Sequence, residues 1–196
     1  MEFVLASQNR HKWEEMSQIL SPYGIRLLLQ GELGIHLDVE ETGTSFEENA
    51  MLKAEAVMRA AGLPAIADES GLVVDALDGA PGIYSARYGG AACRSDADRY
   101  RLLLQNLEGV PAEERTARFV CVIAAAYPDG RRRCVRGTCE GVIATAPAGE
   151  DGFGYDPVFY VPQEGCTFAQ MGAERKNEIS HRAKALGLFQ KEIMEG

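Results

Sequence analysis

No stretch of this sequence is long and apolar enough to cross a bilayer. The longest apolar run, Phe119 to Tyr127, falls far below the ~20 residues a membrane helix needs, so no membrane partner is expected. Basic residues are in deficit: 20 Lys and Arg stand against 29 Asp and Glu, a net charge of −9. Gripping nucleic acid takes a basic face that releases counterions, so no nucleic acid partner is expected. A few cations converging on one cleft can still hold a small polyanion. The five cysteines (Cys93, Cys121, Cys134, Cys139 and Cys166) include no C-x-x-C pair. That points to neither a zinc site nor a disulfide framework, and reduced thiols in the cytoplasm are expected. The opening MEFVLASQNRHK has no basic segment ahead of an apolar one, so it does not read as a secretory leader. Internal repeats and low-complexity tracts are missing, as is the pattern G-x-x-x-x-G-K-[ST] of P-loop nucleotide enzymes.

What is present is a globular balance, 46% hydrophobic and 25% charged over 196 residues. That length suits one domain, 1–196, or two lobes sharing one core. Phe3-Val4-Leu5-Ala6 reads as a strand, and Ser7 to Lys12 as a polar turn. Trp13, Met16, Ile19 and Leu20 then recur at helical spacing. Ser45 with Glu48 forms a capping box, opening a helix that Gly62-Leu63-Pro64 ends. Asn49 and Lys53 lie one turn apart on that helix and can reach the same spot. Ala65-Ile66-Ala67 is a short buried strand running into an acidic turn, Asp68-Glu69-Ser70-Gly71, and Leu72-Val73-Val74 resumes the extended pattern. A helix follows from about Asp96 to Leu107. Strands Phe119–Tyr127 and Cys134–Ile143 flank Pro128-Asp129-Gly130, a hairpin signal. The strand Val158 to Val161 and a helix from about Ser180 to Met194 complete the chain. Strands interleaved with helices, plus a hairpin, imply an α/β fold with a mixed central sheet flanked by helices.

Four segments could carry chemistry. The acidic pair Asp68 and Glu69 follows a buried strand, where open α/β sheets place ligands, and carboxylates are hard ligands suited to Mg²⁺. Read alone, the same residues fit a solvated surface turn better than a site. Glu40 and Glu41 form a second acidic pair. Lys176, His181 and Arg182 surround the start of the last helix, where an anion would be favoured; the alternative is three side chains fanning into water. Ser7, Asn9 and Lys12 suit an anion as well, though Ser7 or Asn9 could simply cap a helix. Gly152-Phe153-Gly154-Tyr155-Asp156-Pro157 offers close backbone approach, two rings for stacking and one polar contact, or else a tight turn with two buried aromatics. Together these supply cations for phosphates, carboxylates for a metal and a platform for a base.

The segments LASQNRHK, EETGTSFEENAMLKA, AIADESGL, GAPGIYSARYGG, FGYDPVF and KNEISHRAKAL, in this order over nearly the whole chain, resemble the inosine triphosphate pyrophosphatase family, which includes bacterial dITP/XTP pyrophosphatases. The resemblance implies two lobes around a nucleotide cleft and a cytoplasmic homodimer. It also implies Mg²⁺-dependent hydrolysis of dITP, ITP and XTP to monophosphate and pyrophosphate. By position, Ser7, Gln8, Asn9, Arg10, His11 and Lys12 are similar to the phosphate-contacting loop, and Lys53 to a further phosphate cation. Glu40 resembles a metal ligand, with Glu41 its nearest rival, and Glu69 resembles the catalytic carboxylate and second metal ligand. Ser70 is similar to a substrate contact. Phe153, Gly154, Tyr155, Asp156, Lys176, His181 and Arg182 look like the base-recognition set. Position 69 departs from the family's usual Asp, and Gln8 stands where Gly is common. A misplacement of ~1 Å can cost on the order of 100-fold in rate, so Asp68 is a second candidate for the catalytic role. The expected chemistry is attack of water on the α-phosphorus, with Lys12, Lys53 and Lys176 offsetting charge. The other functions open to such a chain are a pyrophosphatase for modified pyrimidine or methylated nucleotides, and a nucleotide-binding regulator without turnover.

Overall fold

The first strand, β1 (Glu2–Leu5), buries Phe3, Val4 and Leu5 on both of its faces, so it can only be an interior strand. In the computed structural model, which describes residues 1–195, it lies between two parallel neighbours, β2 (Arg26–Leu29) and β3 (Ala65–Val74). The sheet has seven strands in the order β2-β1-β3-β4-β5-β6-β7, with β4 at Thr116–Ala126, β5 at Arg132–Ile143, β6 at Phe159–Val161 and β7 at Cys166–Thr167. β6 runs antiparallel to both β5 and β7, so the sheet is mixed, as expected of this α/β chain. None of the described helices is long and apolar enough to cross a membrane.

The chain divides into two compact units. The first comprises Met1–Ser70, Cys121–Gly137 and the chain from His181 onward. Its helix α1 (Arg10–Leu20) starts at Asn9, whose side chain accepts the Lys12 N–H, and buries Met16 and Leu20 one turn apart. Helix α2 (Phe46–Ala61) is capped by Ser45 and ends at Gly62, whose φ of 65° suits glycine. Helix α5 (His181–Glu195) contributes Ala185, Leu186 and Phe189 to a core shared with α1, β1 and the inner residues of β3 and β4. Glycine at 137 is a packing requirement: a Cβ there would meet the backbone of His181 and Ala185, so its absence lets the first turn of α5 lie directly on β5.

The second unit comprises Gly71–Val120 and Thr138–Ser180 and has its own core. Phe119, Phe159 and Phe168 meet there with ring centroids 4.6 to 5.7 Å apart. Helix α3 (Asp96–Asn106) opens on a capping box of Ser95 and Asp98 and buries Leu103. The short helix α4 (Ala173–Ile179) precedes the break at Ser180.

Two features differ from the sequence reading. Asp68-Glu69-Ser70-Gly71 is not a turn; it lies inside the ten-residue strand β3, and both carboxylates are buried. Turn composition misled because cationic partners, far away in sequence, neutralise the pair. The strand β2 and helix α4 were not anticipated either. Arg26-Leu27-Leu28-Leu29 is too short to display a period, and the seven residues of α4 are mostly polar.

Candidate functional site

Successive side chains of a strand point to opposite faces. In β3, Ile66 belongs to the core beneath α1 and α5, and Asp68, two residues on, faces the same way. Its carboxylate is surrounded by donors. Lys12 Nζ lies 2.5 Å from Oδ1, and Arg182 Nε donates to Oδ2 at 2.9 Å. Ser70 Oγ and the Cys121 thiol each donate to Oδ2 at 3.1 Å. Arg182 is itself 2% exposed and also pairs with Glu15 of α1. Burial by itself would raise the Asp68 carboxyl, but the Arg182 and Lys12 cations outweigh it and hold the group well below the usual carboxylate range. Burial, reinforced by the Asp68 charge, pushes the Cys121 thiol well up, so it remains a donor. A carboxylate so fully engaged has no lone pair readily available for a metal or a reacting proton.

Glu69 faces the other way and meets α2. Lys53 Nζ pairs with Glu69 Oε1 and lies 3.3 Å from Glu41 Oε1. Burial, then the nearby Lys12 charge, lower the Lys53 pKa, while Glu41 and Asp68 act against that shift. The loop that carries Glu41 is clamped to the first turn of α2. Gly43 N–H donates to Asn49 Oδ1 at 2.8 Å, and Thr44 N–H to Glu48 Oε2 at 2.6 Å. A Cβ at Gly43 would lie 2.6 Å from Glu48 Cβ, so only glycine allows this approach. Asn49 thus holds the loop while Lys53, one turn on, holds its carboxylate. Glu40 is exposed.

Beside this pair is a cavity of about 390 Å³ whose lining includes Ser7, Gln8, Gln30, Asp38, Glu41 and Lys53. Ser7 Oγ accepts the Asn9 N–H at 3.1 Å, and Asn9 Oδ1 accepts the Lys12 N–H at 3.2 Å, so both residues shape the start of α1. Arg10 pairs with Glu14 along the exposed surface of α1, and His11 is exposed.

In the second unit, Asp156 Oδ2 accepts from Phe153 N–H at 2.9 Å and from Lys176 Nζ at 2.8 Å. The same ammonium lies 5.0 Å from the Phe153 ring centroid, a cation–π contact. Gly152 is required because a Cβ would strike the Asp156 carboxylate, and Gly154 N–H donates to Asp96 Oδ2 at 2.8 Å. Tyr155 does not offer a free ring. It is buried in the core and its hydroxyl donates to Ser85 O at 2.7 Å. Burial raises its phenol pKa.

The three residues expected around the start of the last helix lie on two consecutive helices. Lys176 sits on α4 with Asp156, whereas buried His181 and Arg182 open α5, with Arg182 on Asp68. Sequence reasoning gave no role to Glu15, Cys121, Ser85 or Asp96; Ser85 lies within the segment GAPGIYSARYGG, but the contacts of all four arise only in the fold.

The model of the Ham1 family matches residues 3–192. This chain belongs to the Ham1 family. The dITP/XTP pyrophosphatase of Thermus thermophilus is 52% identical to this Ham1-family chain over 95% of the chain and 88% of its own length. That of Geobacillus kaustophilus is 51% identical over 94% and 90%. Among solved structures, a HAM1 protein from Coxiella burnetii superposes with a TM-score of 0.90 at 42% identity, covering 100% of both chains. The Ham1 protein of Staphylococcus aureus gives 0.89 at 45% identity, covering 100% of this chain and 99% of its own.

Among the described residues no group of three or more His, Cys, Asp or Glu side chains is placed to hold a metal on its own. Mg²⁺ asks for less, because it keeps water and shares its shell with one or two carboxylates and substrate phosphates. Glu41 and Glu69 converge on a single cation, Lys53, and are two carboxylates that could hold such an ion.

Proposed function

We propose that this chain hydrolyses the noncanonical purine nucleoside triphosphates dITP, ITP and XTP to monophosphate and pyrophosphate, removing them from the nucleotide pool. Membership of the Ham1 family and the pyrophosphatases about half identical to it support this reading. The observation that carries it is the pairing of Glu41 and Glu69 on Lys53, next to a cavity that Ser7 and Gln8 also line.

Glu69 is the base that orients and deprotonates the attacking water, since Asp68 is committed to Lys12 and Arg182. The water's oxygen bonds to the α-phosphorus as the bond to the bridging oxygen breaks, and pyrophosphate leaves. Lys12 and Lys53 offset charge on the phosphates, with Ser7, Gln8 and Asn9 as neutral contacts. Mg²⁺, held by Glu69 with Glu41 or its neighbour Glu40, would neutralise phosphate oxygens and polarise the reacting centre. Phe153 provides the ring for the base, backed by Lys176 and Asp156. Exocyclic amines are rejected where they would leave buried polar groups unpaired. A cytoplasmic homodimer belongs to the same reading, and light scattering on the purified protein checks the dimer.

The test is phosphate release coupled to added inorganic pyrophosphatase, with dITP and XTP set against dATP, dGTP and a modified pyrimidine triphosphate. Turnover of dITP and XTP well above the others is expected. Turnover of dATP and dGTP without dITP rejects the specificity, and tight dITP binding without turnover in Mg²⁺ rejects the enzyme.

A further inference from the structure

Lys53 touches the very carboxylate oxygens a metal would need. Its Nζ pairs with Oε1 of Glu69 and lies 3.3 Å from Oε1 of Glu41. The Glu69 and Glu41 side chains are 7% and 26% exposed, so water screens them poorly and they demand a counter-cation. An ammonium in contact with those oxygens repels a divalent ion coordinated to the same carboxylates. We propose that Lys53 competes with the metal for Glu41 and Glu69, so that metal binding displaces its ammonium towards the substrate phosphates.

The surroundings suit such an exchange. The backbone of α2 is fixed by the Ser45 cap and by the Asn49 contact to Gly43, so movement is confined to the four-carbon lysine stem, which is flexible. Lys53 and Glu41 both line the 390 Å³ cavity, which gives the ammonium room to swing without disturbing the helix. Ser7 and Gln8 line it too, so the displaced charge remains beside the loop assigned to phosphate. Linkage makes the effect reciprocal: phosphates that draw Lys53 away free both carboxylates for the metal, and the metal frees Lys53 for phosphate. Metal and nucleotide therefore bind cooperatively, and the metal alone binds weakly.

The competition rests on the reading that Glu41 and Glu69 hold the metal, and the experiment separates the two. Mn²⁺ binding is measured by electron paramagnetic resonance without nucleotide on the full chain and on Lys53→Met, Lys53→Gln, Glu41→Gln and Glu69→Gln. Melting temperature is recorded with and without Mg²⁺. Removing the internal cation should tighten Mn²⁺ binding by about tenfold or more. Added Mg²⁺ should also raise the melting temperature of both Lys53 variants more than that of the parent. Glu41→Gln and Glu69→Gln should bind Mn²⁺ more weakly. Unchanged or weaker Mn²⁺ binding in the Lys53 variants, with weakened binding in the glutamate variants, overturns the competition and leaves the metal assignment standing. Unchanged binding in both glutamate variants removes the metal assignment and the competition with it. Lys53→Gln keeps a polar side chain of similar length, so the comparison survives if Lys53→Met does not fold.

Discussion

The two faces of β3 treat adjacent carboxylates in opposite ways. Asp68, beneath α1 and α5, receives Lys12, Arg182, Ser70 and Cys121, and its charge is held by a closed set of donors. Glu69, beneath α2, meets Lys53, whose ammonium it shares with Glu41 at the edge of a cavity. The first environment surrounds its carboxylate with donors. The second pairs its carboxylate with one cation. Composition alone would rank the two acids as equals; the period of the strand separates their surroundings.

The largest expected effect comes from removing the Glu69 charge. Glu69→Gln should lower kcat on dITP by about 100- to 10,000-fold, the contribution of a general base, with an unchanged circular dichroism spectrum. Full activity in that variant would reject the assignment. Asp68→Asn should act on the fold instead. Lys12 and Arg182 would be left with a neutral partner in a buried site, a loss of about 3–5 kcal/mol in urea unfolding. The pH dependence follows in sign. The folded-state pKa of Asp68 lies below its ordinary value of 3.8, so its stabilisation is complete above that pH and is lost as pH falls through the folded value. The stability gap between parent and Asp68→Asn should therefore stay constant from pH 8 to about pH 5, then close under stronger acid. Equal gaps at pH 3 and pH 7 would contradict this.

Glu69→Asp probes reach at constant charge. The shorter side chain draws the carboxylate back by one methylene from the position it holds beside Lys53, so kcat should fall by about 10- to 100-fold, less than for Glu69→Gln. A rate increase would show that the site is still built for the shorter acid. The smallest effect belongs to Cys121→Ala, which removes one of several donors to Asp68 and should cost about 1 kcal/mol in unfolding with kcat nearly unchanged.

Much of this was legible in the chain itself. The caps at Asn9 and Ser45, the glycine that ends α2 and the hairpin around Pro128-Asp129-Gly130 are local signals, and the structure places elements where they indicate. Asn49 and Lys53, one turn apart, do serve one spot, the loop that carries Glu41. Less legible was anything that depended on distant partners. Tyr155 looked like a stacking ring, but its hydroxyl is tied to Ser85, 70 positions away in sequence. Arg182 looked like a cation for an anion at a helix start, or else one fanning into water; Gly137 lets its helix sit against the sheet, where Asp68 and Glu15 pair with the guanidinium.

By itself, then, the order of residues determined the longer helices and strands, the α/β class and a set of candidate side chains for a nucleotide. These follow from periodicity, caps and charge, which act over a few residues. Whether Asp68-Glu69-Ser70-Gly71 is a solvated turn or a buried stretch of strand was decided only by tertiary structure. Desolvating two adjacent carboxylates is tolerable once Lys12, Arg182 and Lys53 stand beside them, and only the fold brings those cations there.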